Sequence, residues 1–277
     1  MIVWLAGGLV PAEDATISIH DRGFLLGDAV FETALLHRGG FFRLGGHLER
    51  FAASAATMRI PAPDPLEVDR IIREVVRANG LHDAHIRIIL TRGVRTPLLL
   101  VTAQSRDPSR LERKSADWRI ITARTRRPSI AAVPAQLKAV GRTYALLARL
   151  EAADAGVDDV LLLTEQGLVC EGPTWNVFWR RGDLLCTPAT DAGVLAGVTR
   201  AALMELAPVH GFRVREGLFD RSDLDHADEI FATMTSAGIV SFRELDGRVL
   251  PTETGAADAL FDSYRDLVAR ESVLDPL

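Results

Sequence analysis

The chain has 277 residues, of which 48% are hydrophobic and 25% charged, a balance typical of a globular protein of one or two domains. Its net charge of −5 provides no basic field that would attract nucleic acid or an acidic membrane surface. Neither a membrane span nor a metal site is expected, because no apolar run approaches roughly 20 residues and the seven histidines and two cysteines lack metal-binding spacing.

The N-terminal third predicts an α+β domain. Apolar segments separated by turns predict strands, at 2–5, 16–19, 29–36 and 41–44. Helical spacing predicts helices over 47–58 and 65–79, and two strands follow at 84–92 and 98–104. No basic residue precedes the first apolar stretch, so we expect a strand there rather than a signal peptide, and a cytoplasmic location.

A domain boundary is predicted in the middle of the chain. A strand at 118–123 is followed by a segment rich in arginine and proline. We therefore predict an N-terminal domain over 1–120, an interdomain loop over 121–135 and a C-terminal domain over 136–277. The second domain is predicted to hold three helices, at 142–155, 198–206 and 255–270, and strands at 158–164, 168–171, 176–180, 184–187, 229–234 and 239–245.

The lysine content is unusual. Lysine and arginine together number 32, yet only Lys114 and Lys138 are lysines. Codon bias towards arginine explains the imbalance, but it would spare a lysine whose amine must act as a nucleophile, because guanidinium stays protonated. Lys114 lies in a charged stretch, whereas Lys138 lies in an apolar one, which makes Lys138 the candidate for chemistry.

Several other residues have side chains suited to anion or cofactor binding, and each also has a plainer explanation. Val198 and Thr199 open a predicted helix, whose free amides attract anions or simply begin the helix. Glu171 is either a cofactor partner or a solvated turn carboxylate, and Arg50 is either an anion-binding fork or a surface arginine. Thr235 and Ser236 follow a predicted strand, where they bind phosphate or form an ordinary turn.

In order along the chain, these pieces resemble the class IV aminotransferases, the enzymes of pyridoxal phosphate (PLP) fold type IV. The matching segments are Asp21–Glu32, Phe42–Leu44, His47–Arg50, Leu137-Lys138, Gly156–Phe178 and Leu195–Arg200. The resemblance implies two domains, a small N-terminal α/β sandwich and a larger C-terminal pseudo-barrel, in a homodimer.

The resemblance also implies a role for each candidate. Lys138 would be the Schiff-base lysine that moves the substrate proton, and Glu171 would pair with the pyridine nitrogen of PLP. The cofactor would be held further by Leu195 against one ring face and by a phosphate cup of Arg50, Val198, Thr199, Thr235 and Ser236. The residues expected to contact substrate are Phe31, Arg87, Arg95 and Thr174.

The expected function is transfer of an amino group between an amino acid and a 2-oxo acid such as 2-oxoglutarate or pyruvate. The Asp21-Arg22-Gly23-Phe24 start and the short chain resemble the D-amino-acid and lyase branches of the family, and we expect a D-amino acid as substrate. The alternatives are an aminodeoxychorismate lyase, a branched-chain aminotransferase and an R-selective amine aminotransferase. Thr91-Arg92-Gly93 is not followed by the Arg-x-His carboxylate trap of D-amino-acid enzymes, so Arg87 or Arg95 would have to take its place.

Overall fold

A computed structural model describes residues 1–111, 118–251 and 255–277 of the chain, which form two compact units. The first consists of Met1–Pro108, Leu137–Gly141 and Leu267–Leu277, and the second of Ser109–Gln136 and Arg142–Asp266. Residues 137–141, with Lys138, and residues 267–277 therefore belong to the first unit, whereas the sequence-based boundaries assign them to the second domain. Lys114 lies outside the described residues.

The first unit is built on a six-stranded antiparallel sheet with the strand order β2-β1-β6-β5-β3-β4. Its strands are β1 (Ile2–Leu5), β2 (Gly8–Pro11), β3 (Ala29–His37), β4 (Gly40–Phe42), β5 (Ala84–Thr91) and β6 (Leu98–Ser105). β3 is buried along most of its length, and it lies between β5 and β4. β4 pairs only with Leu35–His37, so the Ala29–Phe31 end of β3 is open to another partner on that side.

Two long helices cover one face of this sheet. They are α2 (Leu44–Thr57) and α3 (Pro65–Ala78), and their apolar residues share one buried cluster with those of β3, β5 and β6. Asp64 caps α3 by accepting from the amide of Leu66, and Pro65 occupies the first turn, where a missing N–H costs nothing. The spacing of apolar residues predicts both helices correctly, because that spacing records which face is buried.

The strand predicted at 16–19 is wrong, since these residues lie outside any strand and Ile17 and Ile19 are exposed. The sequence prediction also missed the short helix α1 (Arg22–Leu26) that follows. The carboxylate of Asp21 accepts from the amides of Gly23 and Phe24 to begin α1, and Gly27 ends it with a φ of 66°. A single turn fixed by its caps has too little apolar periodicity to be recognised.

The second unit contains a mixed sheet with the strand order β11-β10-β9-β12-β13-β7-β8, and β14 pairs with β13. Its strands are β7 (Trp118–Arg127), β8 (Asp159–Thr164), β9 (Asn176–Arg181), β10 (Leu184–Pro188), β11 (Arg213–Gly217), β12 (Glu229–Met234), β13 (Gly238–Leu245) and β14 (Arg248–Val249). The central pairs β10–β9–β12–β13 are antiparallel, whereas β7 runs parallel to both β8 and β13.

Three helices accompany the second sheet, namely α4 (Thr143–Ala155), α5 (Val198–Leu206) and α6 (Ala256–Leu274), and the last turns of α6 belong to the first unit. The predicted α+β class is confirmed, because each unit contains one β-sheet together with helices. β7 runs on to Arg127, into the segment predicted as a loop. No helix in the described part of the chain is long and apolar enough to cross a membrane.

Candidate active site

Lys138 lies on a short segment that pairs with the open end of β3. The amide of Phe31 donates to the carbonyl of Lys138 at 3.0 Å, and the amide of Val140 donates to the carbonyl of Ala29 at 2.9 Å. This register places Phe31 opposite Lys138, so their side chains share one face of the sheet. The Lys138 Nζ lies 4.9 Å from the centroid of the Phe31 ring. The backbone pairing therefore fixes where the amine is presented.

Arg87 lies beside the same aromatic ring. It pairs with Thr33 on β3, two residues from Phe31, and its guanidinium carbon lies 3.8 Å from the Phe31 ring centroid. Arg87 is exposed, whereas only 4% of Phe31 is exposed. The structure thus brings together three of the predicted residues: an amine, an aromatic ring and a guanidinium around one point of the first unit.

Arg95 is found elsewhere in the first unit. It follows β5 and lines a cleft of about 520 Å³ together with apolar residues that include Trp4, Ile71 and Leu98. None of Lys138, Phe31 and Arg87 lines this cleft. The two arginines that the sequence offers as carboxylate partners are therefore in different surroundings, and only Arg87 lies next to Phe31.

Arg50 is held by a buried carboxylate. Its Nε donates to Oε2 of Glu32 and its Nη2 donates to Oε1, both at 2.8 Å. Glu32 has no exposed surface, and the Nδ1 atom of His47 lies 3.3 Å from its Oε1. No local sequence pattern indicates this arrangement, because Glu32 lies on β3 whereas His47 and Arg50 lie on α2.

Glu171 is fixed in the second unit by two N–H donors. Its Oε2 accepts from the amide of Leu195 at 2.9 Å and from Nδ2 of Asn176 at 3.1 Å, and Asn176 also donates to the carbonyl of Leu195 at 2.9 Å. Asn176 thus joins two residues predicted to contact the cofactor. A Cβ on Gly197 would lie 2.1 Å from Oδ1 of Asn176, so any larger residue there would displace the Asn176 side chain.

The residues of the predicted phosphate cup in the second unit share a neighbour. α5 begins at Val198 without a side-chain cap, and the Thr199 hydroxyl lies 3.4 Å from the hydroxyl of Tyr264. The turn that carries Thr235 and Ser236 ends at Gly238, whose Cβ position lies 3.0 Å from the Tyr264 ring. Tyr264 therefore lies beside Thr199 and beside Gly238, which follows the turn of Thr235 and Ser236. The one feature of the sequence that marks Tyr264 as a candidate site residue is the scarcity of tyrosine, of which the chain has two.

The turn that carries Thr174 is rigid. A Cβ on Gly172 would lie 1.9 Å from the Trp175 ring, so this residue must be glycine. The Trp175 indole N–H donates to buried Asp159 at 2.9 Å, and the Arg142 guanidinium donates to the carbonyl of Pro173 at 3.0 Å. Thr174 itself is exposed. The turn thus presents an exposed threonine on a fixed backbone.

Burial raises the pKa values of two side chains near Glu171. Burial raises the pKa of the Tyr144 hydroxyl, and the nearby charge of Glu171 raises it further. The pKa of the Cys170 thiol is raised for the same two reasons, so this buried cysteine is a thiol at neutral pH. Within the described ranges, no group of three His, Cys, Asp or Glu side chains is arranged to hold a metal ion.

Comparison with known proteins gives consistent results. Residues 29–245 match the family model described as amino-transferase class IV. A Methanocaldococcus jannaschii protein provisionally assigned as a branched-chain-amino-acid aminotransferase is 34% identical over 90% of each chain. A D-alanine aminotransferase of Listeria monocytogenes is 30% identical, over 95% of this chain and 94% of its own.

Solved structures of similar proteins share the fold. The branched-chain aminotransferase from Thermoproteus uzoniensis with norvaline superposes with a TM-score of 0.91 at 30% identity, and the comparison covers 99% of this chain and 96% of that one. A second branched-chain amino acid aminotransferase, from T.th. and complexed with N-(5′-phosphopyridoxyl)-L-glutamate, has a TM-score of 0.91 at 29% identity, with 97% and 94% covered.

The residues of this chain fit PLP. The amine of Lys138 is only partly buried, the Glu171 carboxylate is oriented by N–H donors, and the first turn of α5 lacks a side-chain cap. In addition, the buried hydroxyl of Thr233, which lies opposite Asn176 in the sheet, has no hydrogen-bond partner among the described residues. The amine suits the aldehyde of PLP, the carboxylate suits its pyridine nitrogen, and the uncapped amides suit its phosphate.

Proposed function

The chain belongs to the class IV aminotransferase family and is a PLP-dependent transaminase. We propose that Lys138 carries the cofactor and that the amino donor is an amino acid. PLP, when bound, supplies an electron sink for negative charge at the substrate Cα. The observation that carries the proposal is the Lys138 amine held against Phe31, on the sheet face that also presents Arg87.

Each cofactor contact is proposed for a named side chain. Lys138 Nζ binds the cofactor aldehyde and then acts as the base that moves the proton at the substrate Cα. Glu171 holds the pyridine nitrogen protonated, a role supported by its hydrogen bonds from Leu195 and Asn176, which fix the carboxylate. Leu195 supports one ring face. The phosphate is bound by Arg50, Val198, Thr199, Thr235 and Ser236.

For the substrate, we propose that Arg87 pairs with a carboxylate and that Phe31 contacts the apolar part of the donor. Arg87 is exposed and its guanidinium lies against Phe31, which supports the pairing. Thr174 is a further contact, presented by its rigid turn. Arg95 is the alternative partner for the carboxylate, and Arg87 is preferred because Arg95 lines a cleft without Phe31 or Lys138.

Two donor classes agree with these contacts, and each has support. A D-amino acid is favoured by the N-terminal motif and by the D-alanine aminotransferase of Listeria monocytogenes at 30% identity. A branched-chain L-amino acid is favoured by the Methanocaldococcus jannaschii relative and by the solved branched-chain enzymes. The acceptor in either case is a 2-oxo acid such as 2-oxoglutarate or pyruvate.

The scarcity of lysine makes the central assignment easy to test. Borohydride reduction of the holoenzyme should leave a pyridoxyl label on the peptide that contains Lys138. Lys138→Ala should abolish the label and the visible absorbance, whereas the matched control Lys114→Ala should keep both. A label on Lys114, or one that persists in Lys138→Ala, would refute the assignment. A panel of D- and L-alanine, D- and L-glutamate and L-leucine then separates the donor classes.

We also propose that the protein is a homodimer located in the cytoplasm. α1 exposes Phe24, Leu25 and Leu26 at 65%, 57% and 66%, and α4 exposes Leu146 and Leu147 at 65% and 51%. Groups of exposed apolar residues on a single helix, as on each of these two, are typical of subunit interfaces. Sedimentation of Leu147→Asp should show a shift to monomer, and the control Leu66→Asp, at an isolated exposed leucine, should not. A monomeric wild type would contradict the proposal.

A further inference from the structure

Helix α2 carries a buried polar stripe, defined as His47, Arg50 and Ser54. Their spacing of three and then four residues places them on one face of the helix. His47 and Ser54 have no exposed surface, and only 10% of the Arg50 side chain is exposed. Buried polar groups destabilise a protein unless they are hydrogen-bonded. The partners of the stripe therefore show what it is built to hold.

Those partners are a buried acid and the segment that carries the cofactor lysine. Glu32 accepts two hydrogen bonds from Arg50, each of 2.8 Å, and lies 3.3 Å from the imidazole of His47. Ser54 Oγ accepts from the backbone amide of Lys138 at 3.1 Å. One face of α2 therefore holds both Glu32 and the Lys138 segment, through different residues of the stripe.

The charge of Glu32 is stabilised by its neighbours in the stripe. Burial by itself would raise the pKa of the Glu32 carboxyl, but hydrogen bonds from His47 and Arg50 and the charge of Arg50 outweigh it, so the pKa lies well below its usual range. Burial lowers the pKa of His47, so the imidazole is neutral at neutral pH. We assign the proton to Nδ1, which faces the carboxylate and leaves Nε2 as an acceptor.

The guanidinium is planar, and its edges are not equivalent. Glu32 occupies the edge formed by Nε and Nη2, so an anion bound by Arg50 must approach from the Nη1 side. An arginine that must be ordered on binding loses affinity through its lost rotamer freedom, whereas one already fixed by a bidentate partner does not.

We propose that Glu32, supported by His47, is a positioning residue that fixes Arg50 so that its Nη1 side receives the phosphate of the cofactor. This inference rests on the proposed function, in which Arg50 is a phosphate ligand. Glu32 acts through Arg50, and its own carboxylate touches neither the phosphate nor the substrate. The consequence is selective: loss of Glu32 weakens binding of a phosphorylated cofactor and not of its unphosphorylated form.

The test compares PLP with pyridoxal, which has the same aldehyde and ring but no phosphate. Dissociation constants are measured on the apoenzyme by absorbance after dialysis, for wild type, Glu32→Gln, Arg50→Lys and the double variant. Glutamine keeps the length of the side chain but offers a donor to the guanidinium, so the bidentate pair is lost. We expect the Kd for PLP to rise about 10-fold in Glu32→Gln and the Kd for pyridoxal to change less than about 2-fold.

In the Arg50→Lys background, Glu32→Gln should add less than about 2-fold, because the residue on which Glu32 acts is already gone. The matched control is Asp83→Asn, which removes the carboxylate 3.0 Å from His37 at the other end of β3. It should leave both dissociation constants unchanged. If Glu32→Gln does not fold, Glu32→Asp keeps the charge, shortens the reach, and should show the same selectivity.

Three outcomes would overturn the inference. They are an unchanged or lower Kd for PLP in Glu32→Gln, an equal loss for PLP and pyridoxal, and an undiminished effect in the Arg50→Lys background. Failure of the underlying assignment is distinguishable from these, because Arg50→Lys alone would then leave the ratio of the two dissociation constants unchanged. Failure of the cofactor lysine itself would appear in the borohydride label.

Discussion

Replacement of Gly197 by alanine should disconnect Glu171 from Asn176. Gly197 has φ −70° and ψ 137°, a conformation that alanine adopts without strain, so the backbone is not the obstacle. The obstacle is the Cβ atom, which would lie 2.1 Å from Oδ1 of Asn176. Asn176 must move, and its hydrogen bonds to Glu171 and to the carbonyl of Leu195 are then lost.

The size of the effect follows from these two bonds. A hydrogen bond to a charged acceptor contributes about 1.5–3 kcal/mol and one to a carbonyl about 0.5–1.5 kcal/mol, so we expect Gly197→Ala to lower the free energy of unfolding by about 2–4 kcal/mol. The measurement is urea unfolding of the apoprotein. Gly45→Ala is the matched control, because nothing lies within 4 Å of its Cβ position at the start of α2.

A second background makes the reasoning refutable. Asn176→Ala removes the atom that the new Cβ would meet, so Gly197→Ala should cost less than about 1 kcal/mol when added to it. An equal cost in both backgrounds would show that the clash with Asn176 is not the cause. No cost in the wild-type background would show that Asn176 does not hold Glu171 in the way its hydrogen bonds indicate.

Three further predictions concern single side chains. Because the pKa of Glu32 is lowered on folding, its ionisation stabilises the protein fully above pH about 4 and progressively less as the pH falls. The difference in free energy of unfolding between wild type and Glu32→Gln, measured in urea, should therefore shrink between pH 6 and pH 3. A constant difference would contradict this prediction. Trp175→Phe removes the N–H donor to buried Asp159 and should lower the free energy of unfolding by about 1–3 kcal/mol at pH 7. Because burial raises the pKa of the Asp159 carboxyl, the loss should be smaller in acid, and equal losses at neutral and acid pH would refute this. Arg87→Ala should raise the KM for amino and oxo acids at least about 10-fold and leave the Kd for PLP unchanged, and an unchanged KM would remove Arg87 from the substrate contacts.

Much of the secondary structure could be predicted from local patterns. α3 was predicted over 65–79 and occurs at Pro65–Ala78, because five buried apolar residues repeat with helical spacing. α4 was predicted over 142–155 from its apolar spacing, yet Leu146, Leu147 and Leu150 are exposed. Apolar spacing marks a face that avoids water, and it does not distinguish a face buried within the chain from one that a second subunit would cover.

The candidate site was predictable as a set of residues but not as an arrangement. Lys138, Arg50 and Glu171 were identified by their chemistry and by family motifs. The sequence favours Arg87 as the carboxylate partner but leaves Arg95 as an alternative. The structure separates these two, because β5 carries Arg87 against Phe31 while Arg95 follows the strand and lines a different cleft. β5 ends at Thr91, between the two arginines, so their side chains lie in different surroundings although they are close in sequence.

By itself, the sequence determined the family, the cofactor and the lysine that we propose to carry it, because these follow from residue types and their order. Only the tertiary structure decided how the residues are held. It paired Arg50 with Glu32, fixed Glu171 through Asn176, and placed the Lys138 segment on the edge of β3 in the first unit. A local pattern records whether a side chain is buried, whereas its hydrogen-bond partner comes from another element of the fold and is known only when the chain has folded.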